Sequence, residues 1–337
     1  MHKTSFRPAG RVSVITRGTI GLVLDAKIVR DTLANSGIAT KLYRARGRNM
    51  DGVLSRLKLR FMRSIRPTRS PDANIFIEQV PLGWHSLARM NFLIPNQEWC
   101  RPETMAWFDR FDLILCKSRF AERIFLERGL PARYIGFTSE DRFRAATPKD
   151  YSAYLHVAGR STQKGTRSIL QIWRRHPEWP NLTVVAHGNE LDLGSDAHNL
   201  EILRKKVPYQ QLVNLQNRCG VHLCPSEAEG FGHYIGEGLS CGAVVVTTDA
   251  PPMNELVASD HGIVVPYSHS RPQSLGMNYY VDTEALEAEV AGLVAMTDAQ
   301  KQTLGSAARE FFLSNKRLFE QRLCALLWSQ IAGGIPK

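Results

Sequence analysis

The chain has 337 residues, 43% hydrophobic and 22% charged, the composition of an ordinary soluble protein long enough for two domains with full cores. No apolar run approaches the ~20 residues that span a bilayer, the opening Met-His-Lys-Thr-Ser-Phe-Arg-Pro lacks an apolar signal core, and the six cysteines contain no Cys-x-x-Cys pair. A cytoplasmic protein with buried thiols is therefore expected. The formal net charge of +11 is unevenly spread: residues 1–150 hold 27 Lys and Arg against 14 Asp and Glu, and residues 151–337 hold 16 against 18. The basic excess lies in the first half, which points to a surface there that meets something anionic.

Residues 11–16 form a short β-rich run, followed by the turn Arg17-Gly-Thr-Ile-Gly21 and a helical pattern to Ser36. Strand, glycine turn and helix open a βαβ unit. Gly18 and Gly21 suit close approach of a phosphate or sugar, although a bare Gly-x-x-Gly is equally a tight turn. From Lys41 to Arg69 there are ten basic residues and one acid, Asp51. Within that stretch Leu54, Leu57, Phe61, Met62 and Ile65 recur at helical spacing. This reads as a basic amphipathic helix, with three readings open. It packs on its own domain, it lies on a membrane surface with Arg and Lys on anionic headgroups, or it tracks nucleic-acid phosphates. The apolar stripe favours lipid; the excess of Arg keeps nucleic acid in view, since guanidinium grips phosphate bidentately.

Residues 73–80, 90–95 and 111–116 read as buried strands, and Ser118 as the N-cap of a following helix. Ligands of open parallel sheets sit beyond the carboxyl ends of the strands. His85, Asn96 and Glu98, in loops at such ends, are therefore candidates for an acceptor side. A linker then leads to a second set of strands at 154–158, 182–186 and 199–203. The loop Gly159-Arg-Ser-Thr-Gln-Lys-Gly165 places two cations, Arg160 and Lys164, between a strand and a helix, apt for an anionic leaving group.

The next stretch organises the chain. The strand Gly220-Val-His-Leu-Cys224 enters a Pro-Ser turn, then Glu229-Gly-Phe-Gly-His-Tyr-Ile-Gly-Glu237, a short helix ending at Gly242, and a second buried strand. Gly230 and Gly232 let backbone N–H groups face outward at a helix start, a place that binds phosphate. Glu229 and Glu237 bracket the turn.

This Glu-x7-Glu stretch, with Pro225-Ser226 before it and Cys241-Gly242 after it, resembles the retaining glycosyltransferases of the GT-B fold, most closely family 4 (the group 1 glycosyltransferases). The likeness is strongest from Tyr154 to Val257. It implies an α/β protein with two Rossmann-like domains facing across a cleft. Residues 1–147 would bind the acceptor and residues 148–315 the nucleotide-sugar. Residues 316–337 would form a helix crossing back to the first domain. It further implies that Glu229 meets hydroxyls of the transferred sugar, that Arg160 and Lys164 clamp the donor diphosphate, and that Glu237 meets the ribose. Ser226, Gly230, Phe231, Gly232 and His233, together with Gly18 and Gly21, would line the donor. Many members carry a His-Asp at the end of the strand corresponding to residues 90–95; this chain has Pro95-Asn-Gln-Glu instead, so His85 is the nearest substitute.

The expected activity is sugar transfer from a UDP-, GDP- or ADP-linked donor, with retention, to a glycan or glycolipid at the cytoplasmic membrane face. The enzyme would be cytoplasmic and peripheral on the inner membrane face. With no Asp-x-Asp to bridge metal and diphosphate, no metal is expected. Two further readings stand: a glycosyltransferase of modified DNA bases that uses the basic first domain, and a catalytically silent scaffold subunit of the same fold.

Overall fold

The computed structural model describes residues 10–45, 57, 60–61, 71–81, 83–187 and 193–333. The chain divides into two units: Met1–Phe137 with Arg317–Lys337, and Thr138–Lys316.

The first unit is built on a parallel sheet of six strands, β1 (Arg11–Thr16), β2 (Ala39–Arg44), β3 (Ala73–Ile77), β4 (Met90–Ile94), β5 (Leu113–Cys116) and β6 (Ala132–Tyr134). Its order is β2-β1-β3-β4-β5-β6. β3 is buried along its whole length, as a central parallel strand covered on both faces must be. Helix α1 (Ile20–Asn35) packs Leu22, Ala26, Val29 and Leu33 onto this sheet. The short α2 (Pro102–Met105) follows β4, and α3 (Arg119–Leu126) follows β5. Ser118 caps α3, its Oγ accepting from the Ala121 N–H at 3.0 Å.

β2 departs from the sequence reading, which ran its residues into the basic segment. Its mixed exposure, with Ala39, Lys41 and Arg44 outward, is that of an edge strand. Of the segment Lys41–Arg69, only residues 41–45, 57, 60 and 61 are described. Leu57 and Phe61 are helical, and 51% and 67% exposed. The remainder of the proposed amphipathic helix lies outside the described residues.

The second unit holds β7 (Asp150–Gly159), α4 (Thr166–Arg175), β8 (Asn181–Ala186), β9 (Leu200–Leu203), α5 (Tyr209–Arg218), β10 (Cys219–Cys224), α6 (His233–Ser240), β11 (Val244–Thr248) and β12 (Ile263–Val265). Its parallel order is β12-β11-β10-β7-β8-β9, the doubly wound order in which the first strand of the unit lies beside its fourth. β10 and β11 are buried throughout. One core joins Tyr154, Trp173, Leu182, Val221, Val244 and Leu286. Beyond β12, the strands β13 (Tyr267–Gln273) and β14 (Gly276–Val281) pair as a separate antiparallel hairpin. Helix α7 (Thr283–Ala295) follows, its N-cap Asp282 accepting from the N–H groups of Glu284 and Ala285.

The last helix, α8 (Asp298–Gly333), is one continuous helix. In the second unit its Arg309 holds the Asp141 carboxylate with two nitrogens, at 2.6 and 2.9 Å. In the first unit its Phe319 meets Phe137, ring centroids 4.9 Å apart. The six cysteines are all thiols. Among the described residues, no helix is long and apolar enough to cross a membrane.

Candidate active site

In the second unit, β7 and β10 are neighbours, and the winding reverses between them. Ligands of such sheets sit beyond the carboxyl ends of the strands at this switch point. After β7 comes the loop Arg160–Gly165; after β10 comes Pro225–Gly232. Gly165 is the N-cap of α4 with φ +65°, a conformation that disfavours any side chain. A Cβ there would lie 2.4 Å from the Pro225 carbonyl oxygen. The two loops therefore touch backbone to backbone. The Glu227 N–H donates to the Gln163 carbonyl at 3.0 Å beside this contact.

That contact brings Lys164 to Glu229. The two form an ion pair, with side chains 17% and 12% exposed. The Glu229 oxygen that pairs with Lys164 also accepts from the Ser226 hydroxyl. Ser226 Oγ lies 2.6 Å from the Tyr234 hydroxyl. Burial raises the Tyr234 pKa well above its ordinary value, so the phenol keeps its proton and donates it to Ser226. The Lys164 ammonium stands 3.9 Å from the Tyr234 ring centroid, where the π face adds to its stabilisation. Tyr234, Ser226, Glu229 and Lys164 thus form one chain of contacts. Gly232, at φ +99°, starts α6 without a capping side chain. Phe231 is buried and meets the His233 ring edge-on at 5.6 Å. The His233 carbonyl accepts from Ser139 Oγ at 3.0 Å. Arg160 is exposed.

Glu237 sits in a different cluster. It is 6% exposed; one carboxylate oxygen pairs with Arg142 Nη2 at 2.8 Å and the other accepts from Gln216 Nε2 at 3.0 Å. Arg142 Nη1 in turn donates to Gln216 Oε1 at 2.7 Å, closing a ring of three side chains. The sequence reading did not single out Arg142, which lies in the linker to the second set of strands. Two buried histidines support the loops. Burial lowers the His156 pKa to about 4, with Lys164 nearby adding to the effect. The neutral ring donates from Nδ1 to the Leu223 carbonyl at 2.7 Å and accepts at Nε2 from Thr166 Oγ1 at 2.9 Å. It ties the start of α4 to β10. His222, lowered to about 3 by burial and by Lys149, faces the Gln216 carbonyl at 3.0 Å.

The other candidates lie in the first unit. Gly18, φ +130°, helps line a cleft of about 310 Å³ with Thr16, Arg17, Ile20, Val23 and Arg44. Gly21 lies in the first turn of α1. Asn96 follows β4 and joins a buried network: its Oδ1 accepts from Lys117 Nζ at 2.8 Å, and its Nδ2 donates to Glu78 Oε2 at 2.8 Å. Lys117 is also paired with Asp25 at 2.5 Å. Glu78 adopts φ +61°, a strained setting for a side chain. Burial raises its pKa against the pull of Asn96 and Lys117. Glu98 is only 4% exposed, in a single turn Gln97–Trp99. His85 is half-buried against Trp107, centroids 4.6 Å apart, and burial lowers its pKa.

The two parallel six-stranded sheets match the architecture of GT-B glycosyltransferases. Residues 137–291 match the family model described as glycosyl transferases group 1. Several solved structures share the architecture. A glycosyltransferase from Rickettsia africae ESF-5 superposes with a TM-score of 0.73 at 13% identity, covering 98% of this chain and 100% of that one. A trehalose-6-phosphate protein from E. coli, bound with UDP-2-fluoro glucose, gives 0.68 at 11% identity over 97% and 100%. The lipopolysaccharide outer core galactosyltransferase WaaB in its apo form gives 0.64 at 15% identity over 95% and 99%. At these identities the likeness is one of fold. No match is found among curated proteins.

Proposed function

We propose that this glycosyltransferase is a retaining enzyme that takes a sugar from a nucleoside diphosphate donor and places it on a glycan or glycolipid at the cytoplasmic membrane face. The observation that carries the donor reading is the pairing of Lys164 with Glu229 at the switch point. Breaking the bond from the anomeric carbon to the phosphate oxygen leaves the electron pair on the diphosphate. Lys164, Arg160 and the backbone at Gly230–Gly232 are the groups that would stabilise that charge. Glu229 would orient the sugar through its hydroxyls. Ser226 and Tyr234 hold that carboxylate in place. Both Glu237 oxygens are engaged, yet each has a second lone pair with which to accept from a ribose hydroxyl. The acceptor oxygen would bond to the anomeric carbon on the face the diphosphate leaves, and its proton would pass to a donor phosphate oxygen. No side-chain base and no metal are assigned a step.

The membrane setting rests on the basic excess of residues 1–150 and on exposed Leu57 and Phe61 around Arg60. Among relatives in fold, the galactosyltransferase of lipopolysaccharide outer core supports a glycolipid acceptor.

The testing experiment is a thermal-shift series with UDP, GDP, ADP and CMP on wild type and Glu237→Ala. A ligand at a hundred times its dissociation constant adds about 2.7 kcal/mol. A rise with one nucleotide, lost in the variant, supports the donor site; no rise with any defeats it. Co-sedimentation with anionic vesicles, set against salt-dependent binding to duplex DNA, decides between lipid and nucleic acid.

A further inference from the structure

The first unit holds a pocket of its own at the carboxyl ends of β1 and β2. The parallel register sets Arg44 of β2 opposite Thr16 of β1, and the Ala45 N–H extends the ladder by donating to the Thr16 carbonyl at 2.9 Å. Arg17 and Arg44 therefore leave the ends of two adjacent strands, on the side where ligands of parallel sheets bind. Thr16 Oγ1 donates to the Leu22 carbonyl at 3.2 Å, which draws the turn after Arg17 in against α1. Both arginines line the cleft of about 310 Å³, together with Thr16, Gly18, Ile20 and Val23. Ligand pockets begin at about this size, near 300 Å³.

The lining holds two cations and no carboxylate, so neither guanidinium is neutralised within it. Both arginines are exposed, which leaves their N–H donors open to a ligand. Two like charges in one small cleft repel each other, and an anion between them relieves that cost. The number of charges selects the anion. A carboxylate has two oxygens, and one guanidinium fork satisfies it. A phosphomonoester has three terminal oxygens and about −1.5 to −2 charge near neutral pH, which matches two forks. A nucleic-acid phosphate is a diester with one charge. Ile20, 78% exposed, and Val23 give the cleft an apolar side for the carbon skeleton that the phosphate esterifies.

We propose that this cleft binds a phosphomonoester carried by the acceptor, with Arg17 and Arg44 as the two guanidiniums that grip it. Its role as an acceptor site rests on the proposed sugar transfer; its binding of phosphomonoester does not. Gly18 and Gly21 were expected beside the donor, so displacement by a nucleotide is the competing outcome.

The test is saturation-transfer NMR on the full chain at fixed ionic strength, with glycerol 3-phosphate as probe, glycerol as control and saturating UDP present. The expected result is a signal from the ester and none from glycerol. Affinity for the ester should fall about tenfold or more in Arg17→Ala and in Arg44→Ala, with the UDP-induced thermal shift unchanged in both. Vesicles identify the source of the phosphate. If vesicles of phosphatidic acid retain the protein better than phosphatidylglycerol at equal surface charge, and both variants abolish the difference, the ester is a lipid headgroup. If only glycerol 3-phosphate binds, it is a soluble phosphorylated acceptor. The inference is overturned by no ester signal in wild type, by equal affinity in both variants, or by a signal that UDP displaces. Should no nucleotide shift the melting temperature, the donor reading fails, and the same titration without UDP still decides whether the cleft holds phosphate.

Discussion

Gly165 stands so close to Pro225 that a Cβ on it would meet the Pro225 carbonyl oxygen at 2.4 Å. That contact sets the distance between the Lys164 loop and the Glu229 loop. Neither a proline ring nor a carbonyl can swing aside as a long side chain would. Gly165→Ala should cost about 1–3 kcal/mol, since φ is +65° there as well. It should also move Lys164 off Glu229 and weaken nucleotide binding. Urea denaturation and the nucleotide thermal shift read the two effects separately. A variant of normal stability that binds nucleotide as wild type does would show that the loops do not depend on this contact.

Lys164 and Glu229 neutralise each other at the switch point. A donor diphosphate has to share Lys164 with that carboxylate. Glu229→Gln keeps the side-chain shape and an oxygen for Ser226, but removes the charge. The expected result is nucleotide binding no weaker than wild type, with sugar transfer reduced about 100-fold or more. Lys164→Ala should lower both. If Glu229→Gln transfers sugar at the wild-type rate, Glu229 does not orient the donor.

Arg142 and Glu237, side chains both 8% exposed, form a buried pair with Gln216. Removing one member of such a pair strands the other charge. Arg142→Ala is therefore expected to lose about 3–5 kcal/mol. Arg142→Lys should recover little of this, because an ammonium cannot span the Glu237 oxygen and the Gln216 oxygen as the guanidinium fork does. A urea midpoint for Arg142→Ala within about 1 kcal/mol of wild type would mean that solvent reaches Glu237.

The legible parts of this chain share a cause. Strands β7, β8, β10 and β11 appear as apolar runs because parallel strands are covered on both faces. The stretch from Ser226 to Gly242 is readable because tight turns and short helices confine each position to few residue types. Contacts across long sequence distance leave no such trace. Arg142 meets Glu237 from a linker that looks unstructured. His156 hides inside an apolar strand, and nothing before or after it announces Thr166 as its partner. Glu78 gives no local cue to its left-handed backbone; glycine would have. β2 was hidden because an edge strand carries the same Lys and Arg as a solvated helix. The hairpin did have a signal: Tyr267, His269 and Arg271 alternate with small residues ahead of Ser-Leu-Gly, the pattern of a strand entering a turn.

The two buried histidines make stability depend on pH. Burial, joined by Lys164 for one and Lys149 for the other, lowers His156 to about 4 and His222 to about 3. Both stay neutral in the fold while the unfolded chain protonates them below about pH 6.5. The unfolded state then binds more protons, so stability falls as pH falls from about 6.5 toward 4, by up to about 1.4 kcal/mol per pH unit for each histidine. Glu78 and Glu227 act the other way: their raised pKa values let the fold hold protons that the unfolded chain has already lost. His156→Gln isolates one histidine from this sum. Its urea-derived stability should fall less steeply than wild type between about pH 6.5 and pH 4.5, by about 1.4 kcal/mol per unit. It should also sit lower at neutral pH, where the bonds to Leu223 and Thr166 are weakened. Parallel pH profiles for the two proteins would show that His156 is protonated in the fold, and that the tie from α4 to β10 is an ion rather than a neutral hydrogen-bonded ring.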